Sequence, residues 1–374
     1  MSTKPLRIAI ISSYSFKHPG GVQNQMIYHA AALNQLPNTE AHIWAADIKE
    51  SYAPISTPSF SLGKGIPLSG NGSQLCISLS RYGIKQFLKN EHQYDLVHVH
   101  EPLYPQTSAL INALTIPVVG TFHAQFSSHF YYKYLNVIFR KTIKRLDLAT
   151  AVSESARNSI KRYFNIDPII IPNGTLPTPA PVRPYESREP AILFIGRNEP
   201  RKGLSTLVNA FGLARKEVPN LKLWVSGKNT DRVTGENIVN FGVISESKKF
   251  DLMSKCQILC VPSLGGESFG VILLEGMGSG CPVVASDIEG YRTVLTHQDN
   301  GLAFQPKNHH ELCTTLLSVL SDPQMANRLI ANGYRTARSY TWNTIIHSYT
   351  PLYTQLINRQ RPVKSRELAH SVRL

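Results

Sequence analysis

The stretch Pro262-Ser263-Leu264-Gly265-Gly266-Glu267-Ser268-Phe269-Gly270-Val271-Ile272-Leu273-Leu274-Glu275 decides how this chain is read. A strand-like apolar run, Cys256 to Pro262, leads into it, a Gly-Gly turn follows, and the residues from Val271 onward suit a helix. Strand, glycine turn and helix in that order leave unpaired backbone N–H groups at the helix start, where they favour an anion such as a diphosphate. Glu267 follows the turn and Glu275 stands eight positions on, about two helical turns. Ionised carboxylates only accept hydrogen bonds, so the pair suits the hydroxyls of a sugar-like ligand. Two glutamates at this spacing occur often by chance; the whole string, with its Gly-Gly and Ser-Phe-Gly, is much more specific.

The same alternation runs along the rest of the chain. Arg7 to Ser12 reads as a strand, Val22 to Leu36 as a helix with Val22, Met26, Ala30 and Leu33 on one face, and Ala41 to Ala46 as a second strand. Residues 50–75, rich in Ser, Pro and Gly, read as loop. Helix is expected over Ile77 to Lys89, and strands over Leu96 to His100, Pro117 to His123 and, last in this half, Leu148 to Ser153, with a helix over Glu154 to Tyr163. Five prolines, Pro177, Pro179, Pro181, Pro184 and Pro190, deny residues 175–190 a regular element and suggest a linker. Beyond it the alternation restarts: strands over Ala191 to Gly196, Leu221 to Ser226 and Pro282 to Ser286, a helix over Leu204 to Val218, and a last helix over Trp342 to Ile357. Alternating elements imply parallel sheets with helices on both faces, hence an α/β chain of two doubly wound, Rossmann-like domains facing a cleft. These are residues 1–174 and 191–341, with a polar basic tail over 359–374.

Bulk properties bound the partners. With 374 residues the chain is long for one core, and 42% hydrophobic against 17% charged residues excludes wholesale disorder. A formal net charge of +14 predicts attraction to something anionic, whether nucleic acid, a membrane surface or phosphorylated substrates. Cys76, Cys256, Cys260, Cys281 and Cys313 form no Cys-x-x-Cys pair and are odd in number, which suits free thiols in a reducing compartment. No apolar run approaches the ~18 residues of a membrane span. Ile8-Ala9-Ile10-Ile11 is too short for a secretory leader and reads as a buried strand. A cytoplasmic protein, peripheral on the inner face of the membrane, is expected.

Four further motifs divide between functional and plainer readings. His18-Pro19-Gly20-Gly21-Val22-Gln23, between the first strand and helix, is either an anion-facing glycine loop or a tight turn; it lacks the full dinucleotide fingerprint, so no nicotinamide cofactor is implied. Gly196-Arg197-Asn198-Glu199-Pro200-Arg201-Lys202-Gly203 ends a strand, and there Arg197 can fork onto phosphate oxygens while Lys202 adds a point charge; the plainer reading is a solvated loop. His123 ends the strand of Gly120-Thr121-Phe122. His98 and His100 share one strand face, but no second cluster is evident to complete a metal site with them, and none is expected. Residues 126–145 mix Phe126, Phe130, Tyr131, Tyr132, Tyr134 and Phe139 with Lys133, Arg140, Lys141, Lys144 and Arg145. That pattern suits a helix on an anionic membrane, a packed helix with a solvated basic face, or nucleic-acid binding, for which no motif speaks.

Together these strings resemble the retaining glycosyltransferases of family four, of GT-B fold, and within them the bacterial phosphatidyl-myo-inositol mannosyltransferases. Pro19-Gly20-Gly21-Val22-Gln23, Asn71-Gly72-Ser73, His98-Val99-His100-Glu101-Pro102, Thr121-Phe122-His123, Ile171-Pro172-Asn173-Gly174, Gly196-Arg197 with Pro200-Arg201-Lys202-Gly203, and the paired glutamates occur in family order. The resemblance implies that Gly21, Arg197 and Lys202 hold a donor diphosphate. It places Glu267 and the Phe269-Gly270-Val271 backbone at the donor sugar, Glu275 at the ribose, and Gly242-Val243-Ile244 beside the base. His123 falls near the reacting sugar and the acceptor, with Gln23 and Asn71 as acceptor-pocket candidates. His123, Arg197, Lys202 and Glu267 are the implied catalytic set. A final helix, about residues 342–358, is implied to cross back to the first domain. The donor is a nucleotide sugar, with no cofactor and no metal. The chain departs from the mannosyltransferases in three loops. Gln74-Leu75-Cys76-Ile77-Ser78 has no Arg near the acceptor phosphate, Ala124-Gln125-Phe126 follows His123, and the loop from Arg197 to Lys202 is one residue shorter.

Three functions stay in play. The first is transfer of a hexose, mannose from GDP-mannose, to a membrane lipid such as phosphatidylinositol. The second is transfer from a UDP-sugar to a soluble or polyprenyl-linked saccharide. The third is a non-catalytic protein that binds nucleotide sugar or anionic membrane.

Overall fold

The computed structural model describes residues 4–17, 20–48, 57–70, 73–78, 80–123, 129–176 and 184–360. They divide into two compact units, one made of the residues up to Gly174 together with those from Trp342 onward, the other Thr175–Thr341. The first unit contains β1 (Leu6–Ser15), α1 (Gly21–Asn34), β2 (Thr39–Ala46), β3 (Ser59–Ser61), β4 (Gly65–Gly70), β5 (Ser73–Ser78), α2 (Arg81–Asn90) and β6 (Leu96–His100). It continues with α3 (Pro105–Ile111), β7 (Val118–Phe122), α4 (His129–Arg145), β8 (Leu148–Ala151), α5 (Glu154–Phe164) and β9 (Ile169–Ile170). The second unit holds β10 (Glu189–Ile195), α6 (Leu204–Glu217), β11 (Lys222–Ser226), β12 (Ile238–Asn240), α7 (Glu246–Lys255), β13 (Cys256–Val261), α8 (Val271–Gly278), β14 (Val283–Ser286), β15 (Leu302–Phe304), α9 (His309–Ser321) and α10 (Pro323–Ser339). The chain then returns to the first unit as α11 (Trp342–Gln360).

Both sheets are parallel in their main path, in the order β3-β2-β1-β6-β7-β8-β9 and β12-β11-β10-β13-β14-β15. In each, the strand order reverses beside the unit's first strand, between β1 and β6 and between β10 and β13. Such reversals open a crevice at the carboxyl ends of the strands, the usual ligand position of doubly wound folds. Runs such as Ile8-Ala9-Ile10-Ile11 are wholly buried because helices cover both faces of a parallel sheet. The first unit's main core joins β1, β2 and α1 to Trp342, Ile345, Ile346, Tyr349 and Tyr353 of α11.

Three expectations need correction. Residues 50–75 are not one loop: β3 extends the parallel sheet, and β4 and β5 form an antiparallel ribbon joined to β1 at Tyr14 and Ile77. Gly and Ser weaken the strand signal there, although β4 and β5 pair with each other and are close in sequence. β8 is followed by the short β9, so Leu148 to Ser153 is not the last strand of its half. The Pro-rich segment is not all connector: Tyr185 is buried in the second unit's core and Thr175 bridges Thr341. The tail beyond Gln360 lies outside the described residues.

Candidate functional site

In the second unit the carboxyl ends of β10 and β13 bring two loops together. Gly203, in left-handed geometry at φ +68°, lies so close to Pro262 that an added Cβ would stand 1.8 Å from its carbonyl oxygen. Only glycine fits this approach, so the loop after β10 is held against the loop after β13. The latter turns through Gly265, Gly266 and Gly270, all at positive φ, before α8 begins.

The contact zone is an alternating chain of charges. Arg197 bonds Glu199 at 3.1 Å, and Arg201 bonds Glu199 at 3.0 Å and Glu267 at 2.7 Å. Lys202 reaches the same Glu267 oxygen at 2.7 Å. Three cations against two carboxylates leave one positive charge in excess. Arg197 has the most exposed side chain of the five, 38%, and stands at the open end of the chain. Arg201 has its carboxylate partners built in, which fixes where Glu267 points.

Glu275 sits deeper. Lys249 of α7 donates to it at 2.8 Å and to Glu246 at 2.7 Å. Burial pushes the Glu275 carboxyl above its ordinary pKa, and the single lysine draws it back only in part. Burial works against the Lys249 charge too, but two carboxylates outweigh it and hold that pKa above the usual lysine value. Gly242, at φ +61°, follows β12; its carbonyl accepts from Gly227 N at 2.8 Å and Ser226 Oγ at 2.7 Å, leaving Val243 69% exposed. A cavity of about 700 Å³ lies beside Tyr291, Asp287, Arg292 and His297; neither paired glutamate lines it.

In the first unit the reversal between β1 and β6 gathers histidines. His98 and His100 share one face of β6, as their spacing requires. His29 of α1 meets His100 at 3.3 Å, and His100 meets His123 at 2.8 Å. Nitrogens of His29, His98 and His100 lie within 4.8 Å of one another. The expectation that nothing completes a cluster around His98 and His100 is therefore corrected: α1 supplies the third ring. The three rings could hold a metal ion, but each of their nitrogens is already engaged by Tyr353, Thr121 or another histidine. Glu101, in left-handed geometry at φ +58°, turns its carboxylate back to accept from the His123 backbone N–H at 2.7 Å. A non-glycine residue held there is backbone strain beside a candidate site.

The family models for glycosyltransferase family 4 and for group 1 glycosyl transferases match residues 19–176 and 181–336. The phosphatidyl-myo-inositol mannosyltransferase of Propionibacterium freudenreichii is 30% identical to this chain, covering 97% of it and 99% of the relative. The chain belongs to the family-four glycosyltransferases. The phosphatidyl-myo-inositol mannosyltransferase of Mycobacterium tuberculosis is 29% identical over 93% of this chain and 96% of its own. Among solved structures, sucrose-phosphate synthase from Thermosynechococcus elongatus superposes with a TM-score of 0.74 at 19% identity, covering 95% of this chain and 100% of that one. Anabaena HepE, in complex with UDP and glucose, does so with 0.72 at 18% identity, covering 93% and 99%. These two show that the fold is GT-B.

Against this family frame, the structure brings Arg197, Lys202 and Glu267 into one charge chain and gathers Phe269, Gly270 and Val271 at the start of α8. Ile244 is half-buried beside Val243. Gly21 is the first residue of α1, and a Cβ there would meet nothing within 4 Å. Gln23 turns inward and donates to the Ser15 carbonyl at 3.0 Å. Asn71 lies outside the described residues. Gly174 of the Ile-Pro-Asn-Gly string packs on Trp342, where a Cβ would come within 2.6 Å of the ring. Sequence reasoning missed Glu199, Arg201, Lys249, His29 and Tyr353 as site residues. Lys249 had a signal, since it shares a helix face with the buried Leu252 and Met253.

Proposed function

We propose that this glycosyltransferase moves a hexose, mannose from GDP-mannose, with retention of configuration to a membrane lipid acceptor such as phosphatidylinositol. The observation that carries this reading is the 30% identity to a phosphatidyl-myo-inositol mannosyltransferase over nearly the whole of both chains. The surface of α4 supports it: Val137 and Ile138 are exposed beside exposed Arg140, Lys141 and Lys144, an apolar and basic face suited to an anionic bilayer. Among the described residues no helix is long and apolar enough to cross a membrane.

The chemistry follows from the charges. The leaving nucleoside diphosphate gains negative charge as the glycosidic bond breaks, and Arg197 and Lys202 are the cations proposed to stabilise it. One positioned donor of this kind contributes roughly 3 kcal/mol, about a hundredfold in rate. Glu267, fixed by Arg201, accepts from donor-sugar hydroxyls, and Glu275, fixed by Lys249, accepts from the ribose. These cations supply the charge a divalent metal would otherwise bring, so transfer runs without one. Retention is proposed to follow a front-face route, in which the departing phosphate oxygen takes the acceptor proton.

The test is turnover across GDP-, UDP- and ADP-sugars with and without phosphatidylinositol vesicles, in the presence of chelator. Turnover of GDP-mannose that requires the inositol lipid is expected. A UDP-sugar used with a soluble or polyprenyl-linked acceptor would replace the lipid reading. Binding without turnover on any acceptor would point to a non-catalytic protein.

A further inference from the structure

The cavity of about 700 Å³ in the second unit lies outside the charge chain that holds Glu267. It sits at the carboxyl ends of β14 and β15, whose last residues, Ser286 and Phe304, both line it. That is where doubly wound sheets take ligands, and the volume falls within the roughly 300–1,000 Å³ of small-molecule sites. Its walls are built in advance. The Asp287 N–H donates to the Phe304 carbonyl at 2.7 Å, which ties the two strand ends together. The buried Asn300 braces the loop 294–300: its Oδ1 accepts from the Thr296 N–H at 2.8 Å, and its Nδ2 donates to the Val294 carbonyl at 2.8 Å. The Ala303 N–H donates to His297 Nδ1 at 2.9 Å. A backbone N–H can only donate, so Nδ1 is bare and the neutral ring carries its proton on Nε2. Arg292 gives Nε and Nη2 to Asp287 at 2.7 and 3.0 Å, which holds that carboxyl below its ordinary pKa. Glu311 Oε2 accepts from Asn308 at 3.0 Å. Among the described residues, His297 Nε2, Arg292 Nη1 and Glu311 Oε1 make no hydrogen bond.

Charge selects the class of ligand. Asp287 and Glu311 against Arg292 leave one negative charge in excess in the lining, on a chain of net charge +14. The loop carrying Arg197, Arg201 and Lys202 has the opposite excess. A phosphate or carboxylate is drawn there and repelled here. A cation would meet the N–H groups of His297 and Arg292. A neutral sugar meets no such conflict, because each hydroxyl both donates and accepts. Its hydroxyls match His297 and Arg292 as donors and Glu311 as acceptor, and its C–H faces suit the apolar Leu295, Phe304 and Pro306.

We propose that this cavity is a second carbohydrate site, which holds a neutral mono- or disaccharide through His297, Arg292 and Glu311. The site does not depend on which donor or acceptor the transferase uses. It is separate from the donor pocket but shares a loop with it. Gly290, between Asp287 and Arg292, packs so tightly on Glu267 that an added Cβ would stand 1.7 Å from the Glu267 carbonyl oxygen. A sugar in the cavity therefore touches the loop that backs the donor-sugar carboxylate.

The experiment is saturation-transfer-difference NMR on the full chain, saturated with GDP in one series and UDP in another. The probes are methyl α-mannoside, α-linked mannobiose and maltose, with inorganic phosphate as competitor. The expected result is a saturable sugar signal that phosphate does not displace. His297→Ala and Glu311→Gln should each weaken the sugar by about fivefold, the worth of one hydrogen bond, and leave nucleotide binding unchanged. Glu267→Gln should leave it intact, which separates the cavity from a sugar lodged in the donor pocket. No saturable signal from any of the three sugars would overturn the proposal. So would displacement by phosphate, or an affinity unchanged in both folded cavity variants, since a sugar held elsewhere ignores His297 and Glu311. Binding is read without turnover, so a chain inactive on every donor, which would sink the transfer reading, still tests the cavity.

Discussion

Replacing Lys249 with Met should expose how Glu275 is held. The two side chains are 9% and 13% exposed and meet at 2.8 Å, whereas the other partner, Glu246, is 58% exposed and contributes little. Removing one member of a buried pair leaves the other charge uncompensated, at a cost of roughly 3–5 kcal/mol. Methionine keeps most of the lysine's apolar volume, so the loss reports charge and not a cavity. The sign of the pH dependence is fixed. Glu275 in the folded protein has a pKa raised by burial, and without Lys249 it is raised further. Between the unfolded and folded values the native state binds more protons, so stability falls as pH rises through that window. Below the ordinary carboxyl range both states are protonated and the penalty disappears. Urea unfolding at neutral pH and again near the carboxyl range should show the Lys249→Met deficit shrinking on acidification. Lys249→Met with Glu275→Gln should recover most of it at neutral pH. A neutral-pH deficit below about 1 kcal/mol, or one indifferent to acid, would refute the buried-pair argument.

Other outcomes follow from the same contacts. Glu267→Gln should lower transfer by about a hundredfold, while changing stability by no more than about 1 kcal/mol, since its ion pairs are partly exposed; steady-state kinetics beside urea melts checks both. Gly290→Ala would place a Cβ 1.7 Å from the Glu267 carbonyl oxygen. It should displace that loop, costing roughly 1–3 kcal/mol in stability and lowering turnover in the same protein. Changing Arg140, Lys141 and Lys144 together to Ser should weaken pelleting with anionic vesicles and leave nucleotide binding unchanged. Arg145 must be spared, because it donates to the Leu114 and Ile116 carbonyls at 2.9 and 2.7 Å and serves the fold.

Much of the molecule was written locally. The βα alternation, the glycine turn after Cys256–Pro262, and the Arg-Lys loop after Ile195 all depend on short-range periodicity and on backbone freedom at glycine, which sequence displays directly. The family strings then named Glu267, Glu275, Arg197 and Lys202 without help from any contact. The strand ribbon at β4 and β5 escaped notice because its residues, rich in Gly and Ser, are poor strand formers, although its two strands are neighbours in sequence and pair with each other.

What only the tertiary structure decided is who holds whom. Arg201 steadies Glu267 across 66 residues, Lys249 steadies Glu275 across 26, and Tyr353 reaches His29 across 324. Sequence determined the chemistry of each group, because charge and hydrogen-bonding capacity belong to the residue. The pKa of Glu275 was set by folding, because desolvation and partner distance do not exist until separate elements pack together.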